Sequence, residues 1–325
     1  MSIGRPSSGT ANNKELPLQS SDIATSVIIC TRDRSGKLEI CLERLAASRV
    51  TRPFEIIIVD NKSRDGTKAV AEAFFARTDH AGRYIFCDGN GNGVGRNAGL
   101  LVAQGGIVLF TDDDCYPASD WVEQWTRVFD DPTVGYGGGR ILLHDPAALP
   151  LTINESTALK KSRAGYPVYA GSVQGANMAV RRTALEQAGL FDPDFGAGTP
   201  FAGEDWELVN RISLAGWSGG YFPAPTVSHD HGRTEADRHR LEAFYAIGEG
   251  ALFAKALTYR HGGSRALRYL AHHTKNELRR GNWRKQLLVG LGGLRYGLFR
   301  LRHKDSTPPF PGGTLARDTA FGGGA

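Results

Sequence analysis

Three consecutive aspartates, Asp112, Asp113 and Asp114, lie just after the apolar run 106–110. A run this apolar is typical of a buried parallel strand, so the carboxylates are expected at its carboxyl end, where open α/β sheets bind ligands. Carboxylates this close repel one another unless a cation or hydrogen bonds offset their charge. Hard divalent cations prefer oxygen ligands and complete their shell with water and phosphate oxygens. The pattern predicts a metal–diphosphate site; the alternative is an acidic turn that caps the next helix.

The composition is that of a globular protein with a large core. The chain has 325 residues, of which 41% are hydrophobic, so it suits one large α/β domain with appendages or two modest domains. No run reaches the roughly 18 apolar residues of a membrane span, and the amino terminus lacks the apolar stretch of a secretory signal. The cysteines have no C-x-x-C spacing, which predicts reduced core residues of a cytoplasmic protein: Cys30, Cys41, Cys87 and Cys115.

Positive charge is concentrated near the carboxyl terminus. Between Arg260 and Lys304, twelve Lys and Arg residues stand against one acid, Glu277. Either these are solvated helix faces, or they meet an anionic partner such as membrane phosphates, an acidic glycan, a lipid-linked substrate or nucleic acid. Because residues 283–302 are also partly apolar, we expect peripheral contact with an anionic membrane at its inner face, without crossing it, and no nucleic acid partner.

Apolar runs alternate with helical spacing through the first third of the chain. This alternation predicts strands at 26–30, 55–60, 84–88 and 106–111, with helices at 38–45, at 67–77 and from about residue 95. Strands separated by such helices imply a mostly parallel sheet that is covered on both faces. Further on, the pattern predicts helices at 182–188 and 204–215, an extended stretch at 219–229 and mostly helical residues from 235 to 303.

A glycine-rich turn imitates a dinucleotide-binding motif. Residues 93–98 fit G-x-G-x-x-A, with Asp112 further along the chain. In dinucleotide-binding folds this turn follows the first strand, whereas here it follows the third. A single ribose-binding aspartate would also leave Asp113 and Asp114 unexplained. The motif therefore does not indicate hydride transfer.

Six motifs follow one another at strand and helix ends, and their order is more specific than any one of them: 30–34, 59–67, 93–99, 111–114, 203–207 and 229–233. This series resembles the inverting glycosyltransferases of family 2, over about residues 24–235. The resemblance implies the GT-A fold, a Rossmann-like, mostly parallel sheet flanked by helices, with a C-terminal helical appendage. Taken with composition and charge, it divides the chain into disordered tails at 1–22 and 306–325, a GT-A domain at 23–235 with a nucleotide-binding half (23–120) and an acceptor half (121–235), and a basic helical extension at 236–305.

The resemblance also implies a nucleoside-diphosphate sugar donor, a UDP-sugar by default. Thr31 would lie against the base or ribose, and Asp60 would accept a hydrogen bond from the base unless it serves only to cap the following helix. Gly95 stands where the family usually has Ala. The residues implied to hold the nucleotide are Thr31, Arg32, Asp60, Arg96, Asn97, Asp112 and Asp113.

The cofactor implied by the resemblance is Mn²⁺ or Mg²⁺, held by Asp114 and Asp112 with a histidine. His229 and His231 are two apart, so both would project to one side of an extended segment. His229 is preferred because it comes first after the apolar strand; a surface histidine pair is the alternative.

The catalytic residues implied by the resemblance are Asp205 and Glu204. Asp205 would be the general base that takes the proton from the acceptor hydroxyl. Glu204 would position the acceptor or the backbone, since neighbours on a helix do not share a face. Acids at a helix start also favour the macrodipole, which is the alternative. The residues expected near the donor sugar and the acceptor are Gly175, Asn177 and Trp206.

The predicted activity is metal-dependent transfer of a sugar, with inversion, to a hydroxyl of a glycan, lipid-linked or other acceptor. Two alternatives remain open. A sugar-nucleotide nucleotidyltransferase also uses an acidic metal site, although it would need a glycine-rich loop after the first strand, which residues 30–34 lack. A non-catalytic glycan- or anion-binding protein would use the basic tail.

Overall fold

A computed structural model describes residues 23–259 and 263–303. The tails predicted to be disordered, 1–22 and 306–325, lie outside the described residues. The strands are β1 (Thr25–Thr31), β2 (Phe54–Asp60), β3 (Ala81–Phe86), β4 (Ile107–Asp112), β5 (Cys115–Pro117), β6 (Val134–Leu143), β7 (Lys160–Ser162), β8 (Asn177–Arg181) and β9 (Ser218–His229). The helices are α1 (Ser35–Ala46), α2 (Thr67–Arg77), α3 (Asn92–Val102), α4 (Trp121–Val128), α5 (Arg182–Ala188), α6 (Glu204–Leu214), α7 (Arg238–Ala256), α8 (Gly263–Arg279) and α9 (Trp283–Arg302), with a 3₁₀ turn, Glu235–Asp237, before α7.

The first four strands form the predicted parallel half of the sheet, in the order β3-β2-β1-β4. The side chains of β2 are all buried, as expected for a near-continuous apolar run between two layers of helices. Thr31 is in register with Asp60, and Cys30 with Asp112. The carboxyl ends of three neighbouring strands therefore bring Thr31, Asp60 and Asp112 to one edge.

The second half of the described sheet is mixed rather than parallel. Strand β8 runs antiparallel between β4 and β6, while β9 is parallel to β6 and carries β5 and β7 as antiparallel neighbours. The register of β5 places Cys115 opposite His229. This pairing brings the end of β9 beside the acidic loop that follows β4.

Strand β6 is rich in glycine because other parts of the chain approach it closely. A Cβ on Gly137 would lie 2.7 Å from the Trp125 ring, and one on Gly138 would overlap the carbonyl oxygen of Ser172. Glycine weakens a strand intrinsically but permits such approaches. The 171–175 segment can therefore pass directly over the sheet towards the site.

The C-terminal helices pack tightly on the acceptor half. Helices α7 and α9 cross at glycines: a Cβ on Gly250 would overlap the carbonyl oxygen of Val289. The rings of Tyr296 and Phe299 on α9 lie 5.5 and 5.6 Å from the ring of Phe201, in the loop before α6. Helices α7 and α9 thus share a core with the loop that precedes Glu204, whereas the domain boundary at 235 remains a prediction.

Two further features concern the chain as a whole. All four cysteines are free, and three of them are buried, as expected from their spacing. Within residues 23–259 and 263–303, no helix combines the length and the apolar character needed to span a membrane.

Candidate active site

The acidic loop after β4 is built from buried carboxylates. Asp113 is 3% exposed; its Oδ2 accepts a hydrogen bond from Thr31 Oγ1 at 2.8 Å, and its Oδ1 accepts one from Arg34 Nη1 at 3.0 Å. Burial raises the pKa of Asp113 to about 6, and the negative charge of Asp114 adds to this, although Arg34 opposes it. Asp113 therefore orders the end of β1 against the end of β4.

Asp114 connects Arg34 to the end of β9. Its Oδ2 accepts a hydrogen bond from Arg34 Nη1 at 2.7 Å, and its Oδ1 lies 3.3 Å from His229 Nε2. Burial raises the pKa of Asp114, but His229, Arg34 and Lys37 together lower it further, so the pKa lies below its ordinary value. Asp114 is therefore held in its ionised form.

Four side chains converge as a possible metal-binding group. Ligand atoms of Asp112, Asp114, Cys115 and His229 all lie within 4.8 Å of one another. Among the described residues, Asp114 Oδ1 and His229 Nδ1 are buried without a hydrogen-bond partner, which leaves a carboxylate lone pair for an ion. Two carboxylates and an imidazole form a donor set that accepts Mn²⁺ or Mg²⁺.

Cys115 and His231 are weaker candidates for that group. Burial, followed by the negative charges of Asp112 and Asp114, raises the pKa of Cys115 well above its usual range, and sulfur suits hard cations such as Mn²⁺ and Mg²⁺ less well than oxygen does. His231 Nδ1 accepts a hydrogen bond from the backbone N–H of Arg233 at 3.0 Å. His231 does not join the converging group, which includes only the first histidine of the pair.

The two acids at the start of α6 have different surroundings. Asp205 is partly exposed, and its two oxygens accept hydrogen bonds from the backbone N–H groups of Gly175 and Trp206, both at 2.7 Å. Glu204 is buried, and its Oε1 accepts a hydrogen bond from Arg96 Nη1 at 2.8 Å. Of the two acids, only Asp205 combines these backbone hydrogen bonds with partial exposure.

Burial makes both acids hold their protons more tightly. It raises the pKa of Glu204 to about 7, with the charge of Asp205 as the next cause. Burial also raises the pKa of Asp205, although Arg96 and the two backbone N–H groups oppose this. A carboxylate with a raised pKa is a better proton acceptor near neutral pH.

Arg96, which was expected to close over the nucleotide, lies inside the protein. It is 2% exposed, its Nη2 lies 3.2 Å from Asp112 Oδ1, and its guanidinium carbon lies 5.6 Å from the centre of the Phe191 ring. A Cβ on Gly175 would overlap this guanidinium, so glycine is required there. Arg96 therefore joins the acidic loop to Glu204, at the start of α6.

Three other predicted side chains are engaged within the protein. Asn97 exchanges two hydrogen bonds of 2.9 Å with the backbone of Phe191. Trp206 Nε1 donates to the carbonyl oxygen of Val168 at 2.7 Å. Asn177 is fully buried. Its Oδ1 accepts hydrogen bonds from the indole N–H groups of Trp121 and Trp125, and its Nδ2 donates to the carbonyl oxygens of Arg140 and Pro225. These hydrogen bonds hold the three side chains within the protein, and they occupy both donors and both acceptor positions of the Asn177 amide.

The loops after β1 and β2, which the sequence analysis predicts to hold the nucleotide, differ in the exposure of their side chains. Asp60 is 2% exposed, and its oxygens accept hydrogen bonds from Ser63 N–H and Tyr84 Oη, both at 2.7 Å. Asp60 orders the loop after β2 but does not cap the helix that follows, since α2 begins at Thr67, whose N–H donates to Asp65 at 3.0 Å. The side chain of Arg32, by contrast, is 60% exposed and lies 3.6 Å from Asp33.

Arg34 is the residue that the sequence reasoning missed. It stands two positions after Arg32 in the motif that ends β1, but nothing in the local sequence shows which of the two arginines turns towards the acidic loop. The N–H of Ser35 donates to Asp65 and that of Asp33 to Ser63, which ties this loop to the next one. Only the register of β1 beside β4 brings Arg34 to Asp113 and Asp114.

Sequence comparisons identify relatives of this chain. A model of glycosyl transferase family 2 matches residues 26–186. Glycosyltransferase AglE of Haloferax volcanii is 27% identical over 198 residues, which cover 59% of this chain and 62% of that protein. The pre-mycofactocin glycosyltransferase of Mycobacterium tuberculosis is 30% identical over 237 residues, 68% of this chain and 45% of that protein. The chain thus spans less than two thirds of the length of either relative.

Solved structures share the fold. The mannosyltransferase PcManGT from Pyrobaculum calidifontis, in complex with GDP-Man and Mn²⁺, aligns with a TM-score of 0.58 and 22% identity over 82% of this chain and 73% of that one. TarS 1-349 of S. aureus, in complex with UDP-GlcNAc, aligns with a TM-score of 0.59 and 16% identity over 79% and 73%. At these identities the likeness shows the fold alone.

The mixed sheet flanked by helices is the GT-A fold that these solved structures share. Residues 26–186, which match the family model, form a glycosyl transferase family 2 domain. Of the three function classes that the sequence left open, the comparisons favour the glycosyltransferase.

Proposed function

We propose that this protein transfers a sugar, with inversion, from a nucleoside-diphosphate sugar to a hydroxyl group, and that it requires Mn²⁺ or Mg²⁺. The observation that carries the proposal is the connection through Arg96. One guanidinium contacts both Asp112, in the acidic loop, and Glu204, next to Asp205. Arg96 would thereby fix the position of the proposed diphosphate site relative to the proposed site of the attacking hydroxyl. A single displacement requires such positioning.

The acidic loop is the proposed diphosphate end of the site. Asp112, Asp114 and His229 would hold the divalent cation, which when bound neutralises the charge that develops on the leaving diphosphate. The exposed Arg32 lies just beyond the end of the neighbouring strand, on the side where the nucleotide would enter, whereas the buried Thr31 uses its hydroxyl to hold Asp113. Asp60 supports this edge by ordering the loop after β2.

Asp205 is the proposed general base. Its carboxylate is oriented by the N–H groups of Gly175 and Trp206, and such backbone donors fix a side chain more firmly than solvent does. It would accept the proton of the acceptor hydroxyl while that oxygen attacks the anomeric carbon. Glu204, which is turned inwards to Arg96, positions the start of α6.

The donor and the stereochemistry can be tested directly. Two structural neighbours carry GDP-Man and UDP-GlcNAc, so GDP-sugars and UDP-sugars both belong in a thermal-shift screen with and without Mn²⁺. A true donor raises the apparent stability by mass action. Proton NMR of the product then gives the anomeric configuration. Retention at the anomeric carbon would refute the single displacement, and release of pyrophosphate in place of nucleoside diphosphate would indicate a nucleotidyltransferase.

Helix α9 supports a further part of this proposal, contact with an anionic membrane. Its large apolar side chains recur at helical spacing and are 44–66% exposed: Trp283, Leu287, Leu291, Leu294, Leu298 and Leu301. The helix has no acid and five bases: Arg284, Lys285, Arg295, Arg300 and Arg302. An apolar stripe bordered by positive charge is the pattern of a helix that lies in the headgroup region of a bilayer. Because α9 packs on Phe201 beside the acceptor half, a lipid-linked acceptor fits this placement.

Flotation with vesicles tests the membrane contact. The full chain is expected to float with phosphatidylglycerol vesicles and not with phosphatidylcholine vesicles. The double variant Leu287→Gln and Leu294→Gln should lose most of this binding, whereas the matched double variant Ile40→Gln and Leu101→Gln, at residues 42% and 50% exposed elsewhere on the protein, should retain it. Equal flotation of the two double variants would refute the contact. A change of oligomeric state in the α9 variant would point to a second copy of the chain as the partner.

A further inference from the structure

The guanidinium of Arg34 bridges two buried carboxylates. A single nitrogen, Nη1, donates to Asp113 at 3.0 Å and to Asp114 at 2.7 Å. The side chains of both aspartates are 4% exposed, whereas that of Arg34 is 48% exposed. The anions are thus fixed inside the protein, while the cation that neutralises them reaches in from the surface.

The backbone around Arg34 is held independently of this bridge. The N–H of Asp33 donates to Ser63 Oγ at 2.8 Å, and Asp33 Oδ1 accepts from the N–H of Arg64 at 2.7 Å. The carbonyl oxygen of Arg34 accepts from the N–H of Leu38 at 3.0 Å, at the start of α1. The side chain can therefore leave the aspartates without loss of the loop conformation.

We propose that Arg34 is an internal counter-ion that competes with the divalent cation for Asp114 and moves to the donor diphosphate when the donor binds. Asp114 is the carboxylate that Arg34 and the proposed metal site share. A guanidinium and a divalent cation repel each other at this distance, and guanidinium groups bind phosphates through paired hydrogen bonds. Metal and donor should consequently bind cooperatively, each strengthening the other by the same factor. This inference rests on the proposed metal site.

Lys37 offers a matched comparison. It lies one turn further along α1, and its charge also lowers the pKa of Asp114. Its ammonium group, however, contacts Asp230, with Nζ 3.4 Å from Oδ2. Both side chains are positively charged, but of the two it is Arg34 that contacts the acidic loop directly.

Mn²⁺ binding to the full chain, measured by electron paramagnetic resonance of the free ion, tests the proposal. Without nucleotide, Arg34→Met should bind Mn²⁺ roughly fivefold more tightly than the unmodified protein, a modest factor because the arginine is half exposed. Lys37→Met should remain within about twofold of the unmodified protein. Addition of UDP, and of GDP in a parallel series, should tighten Mn²⁺ binding to the unmodified protein and have much less effect on Arg34→Met.

The outcomes separate this inference from the proposed function. If Arg34→Met and Lys37→Met gained Mn²⁺ affinity equally, the gain would come from the loss of a positive charge in general, and the proposed role of Arg34 would be overturned. Unchanged or weaker Mn²⁺ binding in a folded Arg34→Met protein would also overturn it, and Arg34→Gln provides a second variant if Arg34→Met fails to fold. Absence of Mn²⁺ binding in every form, with and without nucleotide, would refute the metal site itself.

Discussion

The Nη1 atom of Arg96 lies 2.8 Å from Oε1 of Glu204, deep inside the protein. This ion pair joins α3, which belongs to the predicted nucleotide-binding half, to the start of α6 in the acceptor half. Removing one partner of a buried pair leaves an uncompensated charge, which costs far more than the pair contributes. Arg96→Met should therefore destabilise the fold by about 3 kcal/mol.

A double-mutant cycle measures that relation. Because Glu204→Gln removes the charge that Arg96→Met leaves unpaired, the double variant should lose clearly less stability than the two single losses added together. Urea unfolding at pH 8, where Glu204 is ionised, gives the unfolding free energies of the unmodified protein, the two single variants and the double variant. If the two losses of stability were strictly additive, Arg96 would not be coupled to Glu204 and would stabilise the fold only through its contact with Asp112.

Replacement of the proposed base should stop transfer while leaving the fold intact. Asp205→Asn cannot accept the proton of the acceptor hydroxyl, so the transfer rate should fall by about a hundredfold or more. The unfolding free energy should change by only about 1 kcal/mol, since one of the two backbone N–H groups loses its acceptor. Asp79→Asn, at an exposed acid before β3, is the matched control and should retain the full rate. A full rate in Asp205→Asn would remove this residue from the mechanism.

The raised pKa of Glu204 predicts a pH dependence of stability. The pKa is about 7 in the folded protein, above the ordinary glutamate value of 4.5, so folding favours the protonated form. Its contribution to stability is fully present below pH 4.5 and is lost as the pH rises through about 7. Urea unfolding at pH 5 and pH 8 should show this fall in the unmodified protein, and Glu204→Gln should show a smaller one. An equal fall in the two proteins would assign the dependence to another group.

A second buried charge cluster predicts acid sensitivity of the opposite sign. Although burial raises the pKa of Glu207, Arg211 and Lys255 lower it to about 2. The ionised Glu207 side chain therefore contributes to the stability of the fold above pH 4.5, and this contribution is lost as the pH falls towards 2. Glu207→Gln should destabilise the protein by about 3 kcal/mol at pH 7, because it leaves buried cations short of an anion. Chemical denaturation at pH 7 and pH 4 measures this loss, which should shrink at the lower pH.

The sequence predicts the parallel half of the sheet well, for a physical reason. Strands β1, β2 and β4 are apolar runs buried on both faces, and the predicted bounds agree with the observed ones to within one residue. Strand β3 begins at Ala81 rather than Tyr84, because an edge strand with exposed residues has little apolar pattern. Strand β6 was missed because glycines disfavour strands, and only the approach of Trp125 and Ser172 explains them.

The site was predictable as a set of motifs but not as a set of contacts. The strand ends correctly indicated that Asp112 and Thr31 share an edge, and the position of His229 after an apolar strand indicated which histidine reaches Asp114. The inward turn of Arg96 and the interior placement of Asn177 depend on packing that no local pattern encodes. Polar residues in such motifs can either bind a ligand or stabilise the fold, and the burial of the side chain helps to distinguish these two roles.

The most direct test of the account is the rate of nucleoside-diphosphate release from the matching donor, with the acceptor present, in EDTA and after addition of Mn²⁺. We predict that chelation abolishes release and that Mn²⁺ restores it in the unmodified protein, but much less in Asp114→Asn, since that variant lacks the carboxylate beside His229. Undiminished release in EDTA would contradict the account.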